Sequence, residues 1–394
     1  MDLLDLVLVL VVLVYAVSGY RRGLVAGCVS LAGFVGGAVV GVWALPWVMG
    51  LVTRGTTTAT VTAVLTVLVP AVVGHELAGR LALRLRGELD RGPLRVADGV
   101  GGAAANAVAV LIVAWVAASV LGASSSPVVT TAIRDSKLLG AVQEAMPDTT
   151  PAWFSRATSA LTEAGFPQVF NPFETEPAAG VAEPSGDSVT ASATNAARLS
   201  TVKIEGSSGN QGREGSGFVF ARRHVMTNAH VVAGIDTPFV RVGGVGRSYE
   251  ARVVLFDPDR DVAVLYVPGL SAPVLRFDGV AARGVPAVVA GYPQDGGLNL
   301  QAATVASRIR ATGQNIYNDA TVTREIYAIR STVRPGNSGG PLLTTDGHVY
   351  GMVFARSTSD SGTGYVLTAA EIAADARRGA AATAPVDTGR LVTS

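Results

Sequence analysis

The sequence predicts two folds in one chain, an all-α bundle of four transmembrane helices followed by an all-β pair of small packed barrels, and three observations predict it. Of the 394 residues, 49% are hydrophobic and only 15% charged, with a mean hydropathy of +0.39, which is too apolar for one ordinary soluble domain. The apolar excess sits almost wholly in the first third, whereas the last half carries the Gly, Asp and Arg punctuation of a water-soluble fold. From Ala197 onward the period changes to two, in short Val-, Thr- and Ile-rich runs separated by turn residues. Two different solvents are implied.

Four segments have the length and apolarity of membrane spans: approximately Leu3 to Ser18, Leu24 to Leu51, Thr57 to Leu77 and Ala103 to Leu121. The first reads as a retained helix and not a signal peptide, because Asp2 and Asp5 occupy what would be a basic n-region and Arg21 and Arg22 follow the apolar run. Arg21 and Arg22 lie in the first loop, and Arg80, Arg84, Arg86, Arg91 and Arg95 in the third, so these loops are expected in the cytoplasm. The N-terminus, the second loop with its single Arg54 and everything after Leu121 then fall outside. Gly27, Ala32, Gly33, Gly36, Gly37, Ala38 and Gly41 fill the second span and let helix backbones approach closely where no hydrophobic effect drives packing. His75 and Glu76 close the third span; a proton relay is one reading, but their place near its cytoplasmic end favours the membrane interface. The single cysteine, Cys28, has no Cys or His partner at metal spacing and is expected to be a small buried packing residue.

Beyond the spans, Val128 to Met146 and Trp153 to Phe166 have apolar residues at helical spacing and read as short amphipathic helices near the outer face of the membrane. Asn171 to Asn195 loses periodicity and is rich in Pro, Ala, Ser, Thr and Gly, the composition of a solvated linker and a natural place for proteolytic nicking, self-cleavage included. The expected domains are therefore residues 1–122, a four-span membrane domain; 123–196, extracytoplasmic helices and linker; and 197–394, the β domain.

In the last of these, runs such as STVKIEG, GSGFVFA, EARVVLF, DVAVLYV, PAVVAGY and HVYGMVF are spaced as strands and turns. Roughly 190 residues of this kind fit two small barrels better than one sandwich of about 100. Three motifs carry chemistry. VMTNAHVV puts His230 just past a strand; FDPDRDVAVLYV puts Asp261 at the start of a strand of alternating apolar residues; RPGNSGGPL puts Ser338 on a turn flanked by glycines, where a Cβ would obstruct both backbone and substrate. A serine hydroxyl needs a base, which His230 supplies, and Asp261 would fix the tautomer of that imidazole and stabilise its cation. The N–H groups of Gly336 and Ser338 are the expected oxyanion hole. The chain order His, Asp, Ser is that of the chymotrypsin fold and not of α/β-hydrolases or subtilisins, so the paired barrels are expected to be a chymotrypsin-like double β-barrel. Each residue alone is more often structural; the coincidence of three motifs points to catalysis. Asp257 and Asp259 read as turn and capping residues, His224 and His348 as strand-edge or turn residues, and Tyr292 with Pro293 as either a cleft wall or a turn.

Leu3 to Gly27 resembles the start of the colicin V production family of bacterial inner-membrane proteins, and Leu199 to roughly Arg378, with TNAH, DVAVL and GNSGGPL, resembles the trypsin-like proteases of the high-temperature-requirement type. Together they are similar to the membrane-anchored acid-resistance serine proteases of actinobacteria. That resemblance implies a periplasmic endopeptidase acting on envelope proteins under acid and oxidative stress, with His230, Asp261 and Ser338 in the catalytic roles. Similarity to trypsin puts Thr332, six residues before the serine, at the specificity position, and the family resemblance implies that the strand through Val353, Phe354 and Ala355 to Arg356 pairs with an extended peptide. Thr332 is not an acid, so cleavage after Lys or Arg is not expected. No cysteine follows Cys28, so the disulfide expected of the actinobacterial relatives cannot form, and Asn337 cannot take the salt bridge by which digestive enzymes are activated. No peptide-tail-binding module follows the barrels; Thr368 to Gly379 reads as a closing helix and then a tail.

The expected partners are protein or peptide substrates and the lipid bilayer. A net charge of +1 with no aromatic-rich basic stripe argues against nucleic acid, and no metal or cofactor is expected. Two other functions fit less well: an inactive protease-like binding module, which an intact triad opposes, and a working channel or transporter, which the scarcity of central charges opposes.

Overall fold

In a computed structural model of the chain, residues 3–49, 57–85, 94–121, 127–145, 169–170, 176, 180–208, 211–357 and 360–392 are described. They form two compact units, Met1–Glu163 with Pro172–Thr175, and Ala164–Asn171 with Glu176–Ser394.

The first unit is helical: α1 (Leu3–Arg22), α2 (Leu24–Met49), α3 (Thr57–Leu85), α4 (Leu94–Leu121), α5 (Pro127–Asp135) and α6 (Lys137–Ala145). α1 packs on α4 and α2 on α3. The second contact depends on glycine: a Cβ on Gly37 would lie 2.0 Å from the Pro70 carbonyl oxygen, and one on Gly33 2.3 Å from that of Gly74. Leu3, Leu6, Leu10, Leu13, Trp43 and Trp47 are exposed, while Asp5, Ser30, His75 and Asn106 are buried. Three helical stretches, Leu3–Arg22, Leu65–Ala82 and Val96–Ser119, are long and apolar enough to cross a membrane; the apolar stretch described in α2, Ala26–Gly41, is shorter. Cys28 is exposed on α2 and not packed inside, because the face that meets α3 is taken by glycines. His75 sits 6.1 Å from the Tyr15 ring, and Glu76 ion-pairs with Arg22 at 3.6 Å.

The amphipathic helices expected over Val128 to Met146 are α5 and α6; Trp153 to Phe166 lies outside the described residues. Ile133 and Leu139 bury against Leu4, Leu8, Ala114 and Ala118. Asp5 caps α6 from a distance, accepting from Ser136 Oγ at 2.6 Å and from the N–H groups of Lys137 and Leu138 at 3.3 Å.

The second unit begins upstream of the strands. Residues expected to be linker instead form a 3₁₀ turn, Gly186–Ser188, and helix α7 (Ala191–Ser200), because Thr190 caps Ala193 N–H and the Ala-rich run that follows favours helix. Thirteen strands are described: β1 (Thr201–Ser208), β2 (Gln211–Ala221), β3 (His224–Thr227), β4 (Phe239–Val242), β5 (Tyr249–Glu250), β6 (Arg252–Asp257), β7 (Val262–Tyr266), β8 (Pro286–Gly291), β9 (Asn299–Gln314), β10 (Thr321–Arg330), β11 (Pro341–Leu343), β12 (Val349–Arg356) and β13 (Thr363–Thr368). Helix α8 (Ala229–Val232) follows β3, and α9 (Ala369–Gly379) follows β13.

The first seven strands make one sheet, ordered β5-β4-β1-β2-β3-β7-β6, and the last six close into a barrel, β10-β13-β12-β11-β8-β9. The first sheet curls over Val202, Ile204, Val225, Val240 and Leu265, and the barrel encloses Val289, Val305, Ile329, Leu342 and Val366. A third core, with Phe218, Met226, Val264, Ile326 and Phe354, lies between them and takes in Ile372 of α9. α9 opens on an N-cap, with Thr368 Oγ1 accepting from Glu371 N–H at 3.1 Å. The tail beyond it is docked: Val386 N–H donates to Val253 O at 2.9 Å and Gly234 N–H to Thr388 O at 3.2 Å.

Candidate active site

β3 delivers its last residue, Thr227, into the turn that becomes α8, and His230 lies in that single helical turn, 5% exposed. β6 ends in DPDRD, where Asp257 Oδ1 accepts from the N–H groups of Asp259 and Arg260, an Asx turn that delivers Asp261 to the head of β7. Asp261 is fully buried, with φ +63°, a left-handed conformation uncommon outside glycine. Its carboxylate holds the histidine twice: Oδ1 accepts from His230 N–H at 2.9 Å, and Oδ2 from Nδ1 at 2.7 Å. Asn228 Nδ2 in turn donates to Asp261 O at 2.9 Å. With Nδ1 given to the carboxylate, Nε2 carries the lone pair, and it is buried with no hydrogen-bond partner among the described residues.

The third motif is the loop between β10 and β11. Gly336 and Gly339 stand at φ +93° and +84°; a Cβ on Gly336 would fall 2.3 Å from Tyr292 O, and one on Gly339 2.1 Å from Ser216 O and 2.3 Å from Thr227 Oγ1. Glycine is required at both places. Ser216 on β2 joins this loop to the histidine turn: its N–H donates to Ser338 O at 2.8 Å, its hydroxyl to Gly336 O at 2.6 Å, and its carbonyl accepts from Thr227 Oγ1 at 2.7 Å, three residues before His230. Ser338 is 2% exposed. The neighbouring carbonyls are both engaged, Pro335 O by Gln294 N–H and Asn337 O by Gly340 N–H, each at 3.0 Å. In a trans peptide the N–H points opposite to the C=O, so the N–H groups of Gly336 and Ser338 are turned away from these partners.

The Tyr292 loop is built, not merely a turn. Tyr292 is fully buried, its N–H donates to Ser216 Oγ at 2.9 Å and its hydroxyl to Thr201 O at 3.0 Å, and burial pushes its ionisation well above the usual range. Gln294 and Asp295 follow with φ +54° and +58°. Asp295 is hydrogen-bonded to Lys203, which holds its carboxyl below the usual range, and its N–H donates to Glu214 Oε1 at 2.8 Å. Burial, then Asp295, pushes Glu214 up.

Among the expected substrate residues, Thr332 is exposed. Val353 commits its backbone to the serine loop, accepting from Gly339 N–H at 2.8 Å and donating to Gly340 O at 2.9 Å. Phe354 is a bulge between the pairs Val353↔Val366 and Ala355↔Tyr365, with its ring fully buried. His348 is exposed, while His224 is buried in β3, with ring nitrogens 2.8 Å from the carbonyls of Arg222 and Ala382.

Several supporting residues escaped the sequence analysis. Ser216 and Thr227 are the link just described. Arg213 on β2 reaches the carbonyls of His230, at 3.2 Å, and of Val392 in the docked tail, and so ties that tail to the histidine turn. Among the described residues no group of three or more His, Cys, Asp or Glu could hold a metal ion.

The comparisons agree in two halves. Residues 4–147 match the family model for the colicin V production protein, and residues 215–352 that for the trypsin-like peptidase domain. The chain is 37% identical over 394 residues to the serine protease Rv3671c of Mycobacterium tuberculosis, covering 99% of this chain and 98% of that one. Over 159 residues, 39% of this chain and 32% of the relative, it is 32% identical to a probable periplasmic serine endoprotease, DegP-like, of Ectopseudomonas mendocina. The crystal structure of the active form of the Rv3671c protease is similar with a TM-score of 0.53 and 41% identity, covering 57% of this chain and all of that one.

Proposed function

This chain belongs to the membrane-anchored serine proteases of actinobacteria that join a colicin V production domain to a trypsin-like peptidase domain, and from that premise we propose that His230, Asp261 and Ser338 are its catalytic triad. It is a serine endopeptidase with a membrane-associated N-terminal region. The observation that carries the triad is the doubly held His230: Asp261 fixes both its backbone N–H and Nδ1, leaving a buried, unpartnered Nε2 in the turn that Thr227 and Ser216 tie to the serine loop.

Each atom then has a task. Nε2 takes the Ser338 proton as Oγ attacks the scissile carbonyl; Asp261 stabilises the imidazolium that results; the same proton goes to the leaving amine as the acyl-enzyme forms, and water repeats the sequence in reverse. The N–H groups of Gly336 and Ser338 receive the developing oxyanion. Substrate backbone pairs along the β12 edge at Phe354 to Arg356, and Thr332 lies at the specificity position; the commitment of Val353 to the serine loop assigns it the bracing of Ser338.

The wider reading is of four spans with α2 as the fourth, two β-barrels with the first sheet as the less closed one, domain limits near 122 and 196, and a protease domain outside the cytoplasm acting on envelope proteins under acid stress. The arginines of the first and third loops support that orientation. Self-cleavage between Asn171 and the docked turn at Gly186 would release the protease. In the full chain in detergent, a fluorophosphonate should label wild type and leave Ser338→Ala and His230→Ala unlabelled; equal labelling of Ser338→Ala would overturn the triad.

A further inference from the structure

The loop that presents Asp261 is held by a buried arginine from the other half of the unit. Arg324 lies on β10, in the closed barrel, and is 2% exposed. Its Nε donates to Asp259 O at 2.8 Å and its Nη2 to Gln314 O at 3.0 Å, while the guanidinium carbon sits 5.9 Å from the centre of the Phe354 ring. Asn315 Nδ2 adds a bond to Asp259 Oδ1 at 3.1 Å. Thus the β9–β10 hairpin grips the peptide two residues before Asp261 and packs on the bulge residue of the expected substrate edge. A guanidinium is costly to bury without partners, and the fork to two carbonyl acceptors fixes where this one lies.

Resting on the triad reading, we infer that Arg324 is a positioning residue for the triad: it clamps the Asp261 loop from the second barrel. Asp261 is held in the left-handed region, where a non-glycine residue stays only if its surroundings fix it. Arg324 fixes them by holding Asp259 O, as Asn228 does from the other side by holding Asp261 O.

The test needs no knowledge of the substrate. The rate of Ser338 labelling by a fluorophosphonate is followed in the full chain in detergent, for wild type, Arg324→Gln and Arg324→Lys, with kcat and KM on casein measured beside it. Arg324→Gln loses the fork across Asp259 O and Gln314 O; its labelling rate and kcat should fall by about tenfold at unchanged KM, as for a misplaced catalytic group. Arg324→Lys can reach only one of the two carbonyls and should show the same split, smaller. A folded Arg324→Gln variant that labels and cleaves at the wild-type rate overturns the inference, as does a loss confined to KM. Should the Gln variant fail to fold, the Lys variant decides by the same two readouts. A wild-type chain that takes no label instead sinks the triad reading itself, a different failure.

Discussion

Asp5 and Asp261 are both buried carboxylates that reach across the chain to a helix start, one in each unit. Asp5 accepts from Ser136 Oγ and from Lys137 and Leu138 N–H at the head of α6; Asp261 accepts from His230 N–H inside α8, and from the imidazole itself. Their surroundings are opposite. In the helical unit the apolar side chains Leu6, Leu10, Trp43 and Trp47 face outward and Asp5, Ser30, His75 and Asn106 are turned in; in the β unit the interior is largely Val, Ile and Leu, with His230, Asp261 and Ser338 among the buried polar residues. A buried carboxylate in the first unit therefore docks one helix on others, whereas in the second it also orients an imidazole. The difference lies in one contact, to a ring nitrogen whose partner nitrogen is left open.

Asp261→Asn tests this division of roles most severely. The amide is nearly isosteric and can still accept from His230 N–H, so melting should change little, but it can donate to Nδ1 and so favours the wrong tautomer. Cleavage should fall by about 10⁴-fold, the cost of losing the tautomer-fixing carboxylate in this fold. A variant that keeps most of its kcat would make Asp261 an architectural residue like Asp5.

That asymmetry was only half legible in the sequence. Strand periodicity and three motifs placed His230, Asp261 and Ser338, because a nucleophile turn needs glycines and the aspartate must lead an apolar strand. The ordered chain upstream was missed because Asn171 to Asn195 has linker composition, and only the Thr190 cap and the docking of Thr190 Oγ1 on Thr345 O, 155 residues away, convert its end into helix. Such contacts leave no local signal. Arg324 did leave one: TVTREIYAIR alternates so that Arg324 shares a face with Ile326 and Ala328, both fully buried, and a charge on a core-facing register marks either an error or a clamp. The outward position of Cys28 was illegible, since in an apolar helix the packed face is chosen by where the glycines lie.

Asp5→Ala probes the helical unit in the same way. Removing the carboxylate leaves Ser136 Oγ and the first N–H groups of α6 without their acceptor, at a cost of about 1–2 kcal/mol for a cap. Hydrogen exchange over Lys137 to Ala145 should speed up, while fluorophosphonate labelling of Ser338 stays at the wild-type rate. Labelling lost together with α6 protection would mean that the two carboxylates do not divide structure from chemistry as argued.

The smallest effect comes from a third buried carboxylate, one that neither docks a helix nor serves the triad. Asp375 on α9 is fully buried; its Oδ1 takes a hydrogen bond from Arg378, and its Oδ2 has no partner among the described residues. Burial pushes its ionisation above the usual carboxylate range, with Arg378 opposing. The sign follows from the two states. A carboxyl that binds its proton more tightly when folded favours the fold while it is protonated, below the unfolded value, and this contribution is lost as pH rises through the folded value. At neutral pH the wild type therefore carries a charge that the fold resists, and Asp375→Asn, neutral at every pH, should melt higher at pH 7. The gap should close as the pH is lowered towards the carboxylate range, where the wild-type side chain becomes neutral as well. A constant gap across that range would show that the gain comes from packing or hydrogen bonding of the amide and not from the charge.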